Sequence, residues 1–189
     1  MQWILLIVLV VVALWVMGAY NALISLKNQV VNAWKQIDVQ LKRRHDLIPN
    51  LVNTVKGAMD FERSTLEAVI SARNKAVGAT GVKDTARAEG ELTQALGRLF
   101  ALTEAYPELK SNQNVLQLQE ELTSTENKVG FARQLYNDVA TQYNTKQATF
   151  PTMLVAGLAK ATPAELWEIE DAAERAVPKV DLSLNQPRQ

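Results

Sequence analysis

Few residues in this chain could do chemistry, and their types exclude most of it. There is one histidine, His45, and no cysteine. Thiolate metal sites, iron–sulfur clusters, disulfides and a cysteine nucleophile are thereby excluded, and a histidine metal set cannot form within one chain. The 20 Asp and Glu residues invite a carboxylate-bridged metal, but the Glu-x-x-His pattern of di-iron bundles does not occur. We therefore expect no metal, no cofactor and no catalytic residue. What remains is a polar set in two lines: Arg43, Asp46, Asn50 and Asn53, then Glu126, Arg133, Asn137 and Asn144. Arg44 falls inside an apolar stripe, where a guanidinium needs a carboxylate such as Glu121 or Glu126. These groups suit satisfied pairs between helices, with a ligand or partner site as the alternative. His45 reads as a flanking residue rather than a ligand. Pro49 deletes one backbone hydrogen bond and crowds the carbonyl of His45, at a cost of about 3 kcal/mol inside a helix. A kink, or a restart with Asp46 as N-cap, is the expected reason, and a functional opening of the backbone is the other.

Helices must carry these lines. Val30, Trp34, Ile37 and Leu41, then Ile48, Leu51 and Val55, recur at intervals of three and four. A weaker stripe of Met59, Phe61, Leu66, Val69, Ile70 and Val77 stops at the turn signal Gly78 to Gly81. A third, Ala88, Leu92, Ala95, Leu99 and Leu102, is capped by Asp84 and closed by Tyr106-Pro107. The fourth, from Val115 through Leu122, Val129, Ala132 and Tyr136 to Tyr143, has the regular repeat of a coiled coil. Strand alternation is absent. Residues 27–149 are thus expected to form an all-α, antiparallel four-helix up-down bundle. Small residues at Ala86, Gly90, Thr93, Gly97 and Ala101, and Gly130 on the fourth helix, point to close helix packing. Thr162-Pro163-Ala164-Glu165 reads as the start of a short C-terminal helix, with an N-cap Thr, Pro at the first turn and Glu at the third position.

Every charged side chain lies beyond Leu26, and 20 Lys and Arg balance 20 Asp and Glu. A balanced charge argues against a nucleic-acid partner. Residues 1–26 are an uncharged block whose mostly apolar core, Trp3 to Ile24, is roughly 33 Å long as a helix, enough for a hydrocarbon layer of about 30 Å. A cleaved signal peptide would want a basic start and a shorter apolar run, so an uncleaved single-pass anchor is expected. The Lys and Arg residues that follow the span, from Lys27 to Arg44, favour a cytoplasmic bundle, with a periplasmic one as the alternative. Gly18 and Ala22 form a small-xxx-small pair suited to helix association in lipid, which points to a homo-oligomer. An even number of helices returns the chain to the bilayer. Residues 150–189 are therefore expected to be membrane-proximal: Phe150, Pro151, Met153, Leu154, Leu158 and Trp167 dock on the bilayer, the bundle base or an adjacent copy, and a polar tail follows.

The stretch Leu41-Lys-Arg-Arg-His-Asp-Leu-Ile-Pro-Asn-Leu-Val-Asn-Thr-Val-Lys-Gly57 resembles the first signature of the LemA family of bacterial membrane proteins. Ser111 to Asn114, Leu118 to Leu122, Thr125 to Lys128, Phe131 to Arg133, Tyr136-Asn137 and Phe150-Pro151 follow the same family's pattern in order, and Pro178 to Asp181 resembles its close. Leu182 stands where the resemblance implies an aromatic residue. The resemblance implies an N-terminal anchor, a helical bundle and the bacterial inner membrane, and it supplies no catalytic residues. The resulting expectation is a non-enzymatic scaffold or adaptor that binds other membrane proteins or itself. A sensory or signalling input is the alternative.

Overall fold

The computed structural model describes residues 1–57, 59 and 62–168. The expected apolar contribution of Phe61, and the tail features from Glu170 to Gln189, lie outside them. The described residues form six helices and no strand.

One helix dominates. α1 runs from Gln2 to Lys56, 55 residues without a break, so the apolar segment and the first amphipathic stripe are a single rod of roughly 80 Å. Among its first 24 residues only Ala19 and Leu23 are buried; the stripe Val30, Ala33, Ile37, Leu41, Ile48, Leu51 and Val55 then takes over. This helix is long and apolar enough at its N-terminal end to cross a membrane.

α2 (Arg63–Gly78) and α3 (Val82–Thr103) form a hairpin. Its turn is made by Gly81, whose φ of +81° lies where a Cβ would be strained. The N-cap of α3 is Gly81; Asp84, expected to cap it, lies in the first turn and pairs with Arg87 at 2.9 Å. Tyr106-Pro107 closes α3 as expected, and Pro107 then opens a single turn, α4 (Pro107–Lys110). α5 (Gln113–Ala148) begins at Asn112, whose side chain accepts from the amides of Asn114 and Val115. α5 packs antiparallel along α1, and α6 (Met153–Ala156) turns the chain against both.

Two cores result. The one distal to the apolar segment takes Ile48 to Val55 of α1, both hairpin helices, Leu109, and Val115 and Leu122 of α5. The one proximal to it takes Leu23 to Leu41 of α1 and Val129 to Tyr143 of α5, closed by Ala159 and Trp167.

Three sequence expectations are corrected. The helix expected from Pro163 does not form up to Glu168: residues 161–168 are non-helical, because their backbone groups are taken by side chains of α5. α1 does not restart at Asp46; it passes through Pro49 intact. The glycines of α3 and α5 do not serve close approach, since a Cβ added at Gly90, Gly97 or Gly130 would meet nothing within 4 Å. They face open space.

Candidate functional site

Two polar constellations organise the body. The first lies where four helices meet. Arg44, only 3% exposed, is placed in the α1 stripe by the same spacing that buries Leu41 and Ile48. Its Nη1 donates to Glu89 Oε2 at 2.8 Å and its Nη2 to Thr93 Oγ1 at 2.8 Å. Glu126 Oε2 of α5 lies 2.9 Å from the same Nη2 as an ion pair outside hydrogen-bond alignment. His45 Nε2 sits 2.6 Å from the other oxygen of Glu89. Glu89 therefore has both oxygens committed. A carboxylate so occupied holds helices together and is poorly placed to shuttle protons. Arg73 of α2 completes the junction: its Nε donates to the His45 carbonyl at 3.3 Å. That carbonyl is the one Pro49, four residues on, cannot reach with an N–H. The proline thus exposes an acceptor inside α1, and α2 is docked on it.

The sequence points to Glu121 or Glu126 as the carboxylate for Arg44; Glu126, 35% exposed, lies at ion-pair distance, while Glu89 and Thr93, not foreseen as partners, take its hydrogen bonds. The signal for Glu89 existed: it stands three residues before Leu92 and four after Thr85, inside the buried stripe of α3. Of the other candidates, Arg43, Asp46 and Asn50 are exposed and not drawn into this network.

The second constellation is a ladder between α5 and the extended strap, residues 161–168. Asn137 donates to the Trp167 carbonyl at 2.9 Å and accepts from the Trp167 amide at 2.8 Å. Asn144 does the same to Ala164, at 2.8 Å in each direction. Tyr136 adds a bond from its hydroxyl to the Glu165 carbonyl at 2.7 Å. Seven residues of helix rise roughly 10.5 Å, and three residues of extended chain cover roughly 10 Å, so the two rungs match in pitch. The asparagines read backbone alone; the one large side chain buried from the strap is Trp167, 4% exposed. Trp167 packs 6.0 Å from the Trp34 ring and under Arg133, whose guanidinium carbon is 5.7 Å from the ring centre. Trp34 meets Tyr136 edge-on at 5.4 Å. Burial, and secondarily the Glu165 carboxylate, raise the Tyr136 hydroxyl above its usual range. It stays a neutral donor.

The remaining candidates lie at or near the apolar end. Gly18 is exposed, while Ala22 lines a cleft with Ser25, Leu26, Thr145 and Phe150. Phe150, Met153, Leu154 and Leu158 are exposed, and Pro151 is half-buried. Among the described residues no cluster of His, Asp and Glu is disposed to hold a metal ion.

An all-helical body carried on one long apolar N-terminal helix, with buried polar groups that join helices and strap, defines a class: a helical protein with one candidate membrane span among the described residues. Residues 33–182 match the LemA family. The chain belongs to the LemA family. It is similar to Protein LemA of Metamycoplasma hominis, 27% identical over 173 residues, with 90% of this chain and 76% of that protein covered. It is also similar to magnetosome proteins MamQ 1 and MamQ 2 of Paramagnetospirillum magneticum. Each is 23% identical over 184 aligned positions, with 84% of this chain and 68% of that protein covered.

Proposed function

We propose that this protein is a non-enzymatic scaffold or adaptor, anchored in the bacterial inner membrane by α1, whose up-down helical body binds a second copy or another membrane protein. The observation that carries the reading is an uncovered apolar face on the proximal half. The strap and α6 pack against the α1–α5 pair there, yet Val39, Phe131 and Leu135 remain 63%, 74% and 43% exposed, beside Lys35 and Lys128 in one cleft. Three large apolar side chains grouped on two adjacent helices mark a binding face rather than scattered surface residues. Phe131→Glu tests it. In mild detergent, native mass spectrometry should show the wild type associated with itself or with a co-purified protein, and the variant should lose that association while melting at the same temperature. An unaltered assembly state would sink the reading. The Lys and Arg distribution favours a cytoplasmic body, so an alkaline phosphatase fused at Gln189 should be inactive.

The second reading, a signalling input, is favoured by the Arg44 junction, in which Glu89 of α3 and Glu126 of α5 both pair with one buried arginine of α1. It requires a helix displacement on stimulus.

A further inference from the structure

Four of the most exposed large apolar side chains outside the N-terminal segment lie within nine residues: Phe150 at 73%, Met153 at 51%, Leu154 at 66% and Leu158 at 71%. They belong to a foot formed by the end of α5, α6 and the turn that follows. The foot is not loose. Its inner side buries Thr152, Val155 and Ala159. Both its ends are tied, since Asn144 before it is bonded twice to Ala164 after it. The ladder that holds the strap therefore also fixes which way the foot faces.

Its position along α1 decides what covers it. α6 packs on α1, and Ala159 of the foot shares a core with Leu23. Phe150 and Pro151 line a cleft with Ala22, Ser25 and Leu26. Ala22, in that cleft, and Leu23, in that core, place the foot beside the last turn of the apolar segment, which ends at Ile24. One polar side chain, Asn21, interrupts the apolar run before Ser25, and charged residues begin at Lys27. With about 1.5 Å of rise per residue, Ala22 lies roughly 5 Å inside the level of Ser25, within the depth at which amphipathic elements sit in the headgroup–acyl boundary. An element fixed at that depth with four large apolar side chains outward has lipid as its surroundings. Lys27, and Lys146 in the last turn of α5, stand exposed on the aqueous side, where cations meet lipid phosphate.

Resting on the reading of α1 as a membrane span, we propose that Phe150, Met153, Leu154 and Leu158 form a second membrane contact: a foot inserted in the headgroup–acyl boundary of the leaflet where α1 emerges. The body is then held to the bilayer at two points on one side of α1. It cannot swing freely about the anchor.

The absence of cysteine allows single thiols to be placed without background. Full-length variants Leu154→Cys, Leu158→Cys, Val10→Cys and Asp138→Cys are labelled with an environment-sensitive fluorophore and reconstituted into liposomes of phosphatidylcholine and phosphatidylglycerol carrying doxyl quenchers at shallow or deep acyl positions. Labels at 154 and 158 should be quenched several times more strongly by the shallow quencher than the label at 138, and the label at 10 most strongly by the deep one. If 10 is quenched while 154 and 158 behave like 138, the foot is solvated and the proposal fails with the span intact. If 154 and 158 emit as buried groups yet escape both quenchers, a protein surface covers them and the proposal is equally wrong. An unquenched label at 10 would overturn the span, and the foot proposal with it.

Discussion

The two halves of the body solve the same packing problem with different materials. In the distal half four helices are available, and they bury leucine and valine stripes around a shared core, with Arg44 and Glu89 sealed at its boundary. In the proximal half α1 and α5 run on with only the start of α3 and the short α6 beside them. Two helices cannot enclose a core, so the chain returns as an extended strap that covers one side with Trp167. An extended segment carries no internal hydrogen bonds, and its buried amides and carbonyls need partners. Asn137, Asn144 and Tyr136 supply them. The lesson is that the distal half is stabilised by a charge junction and shape, the proximal half by amide recognition and one indole.

The largest test of that contrast is Arg44→Ala. It leaves Glu89 buried with only the His45 contact, and should destabilise the body by about 3 to 5 kcal/mol, seen as a large fall in thermal midpoint. Glu126→Gln touches the same arginine from a side chain 35% exposed, and should cost under about 1 kcal/mol. Equal losses in both variants would mean that Glu89 is not the principal partner.

Trp167→Ala should act on the other half alone. Removing the buried indole costs about 3 kcal/mol locally, which frees the strap, opens residues 161–168 to proteolysis and leaves the α2–α3 hairpin unchanged. Cooperative loss of both halves would show that they are one folding unit and erase the distinction.

A smaller effect is expected from pH. The folded hydroxyl of Tyr136 titrates above its ordinary value of 10.0 because of burial, then of Glu165. The folded state therefore holds its proton more tightly than the unfolded state. Its contribution is complete below about pH 10 and is lost as pH rises through the raised value. Trp167 emission should shift red in that alkaline range, and Tyr136→Phe should remove this component while costing about 1 kcal/mol for the lost hydrogen bond. The smallest effect belongs to the hairpin surface, where Lys75 and Glu91 pair at 3.1 Å while 64% and 48% exposed. Lys75→Ala should leave the melting temperature unchanged.

Much of the distal half was legible in the sequence, because helical burial writes itself as intervals of three and four: Ile48, Leu51 and Val55, or Leu92 and Leu99, are where those intervals put them. The demand of Arg44 for a carboxylate was legible too, and Glu126 meets part of it. Glu89 was hidden by its charge, since a glutamate beside an apolar stripe looks like solvent-facing decoration until the arginine opposite is seen. The strap was illegible for a different reason. Thr162-Pro163-Ala164-Glu165 carries a genuine local helix signal, and what overrides it are two asparagines some 20 and 30 residues earlier, whose spacing matches the strap only in three dimensions. Pro49 was read as a local disturbance, whereas its consequence is tertiary: the carbonyl it frees is the one Arg73 takes.

Native-state hydrogen exchange on the full-length protein in detergent tests the central contrast most directly. In the wild type the amides of Ala164 and Trp167 should be protected. In the Asn137→Ala, Asn144→Ala double variant that protection should vanish, at about 1 to 3 kcal/mol for each backbone pair left without its partner, while the amides of α2 and α3 keep theirs. Amides at 164 and 167 that exchange in the wild type as fast as in a short peptide, or a double variant that loses protection equally in α2 and α3, would contradict the account.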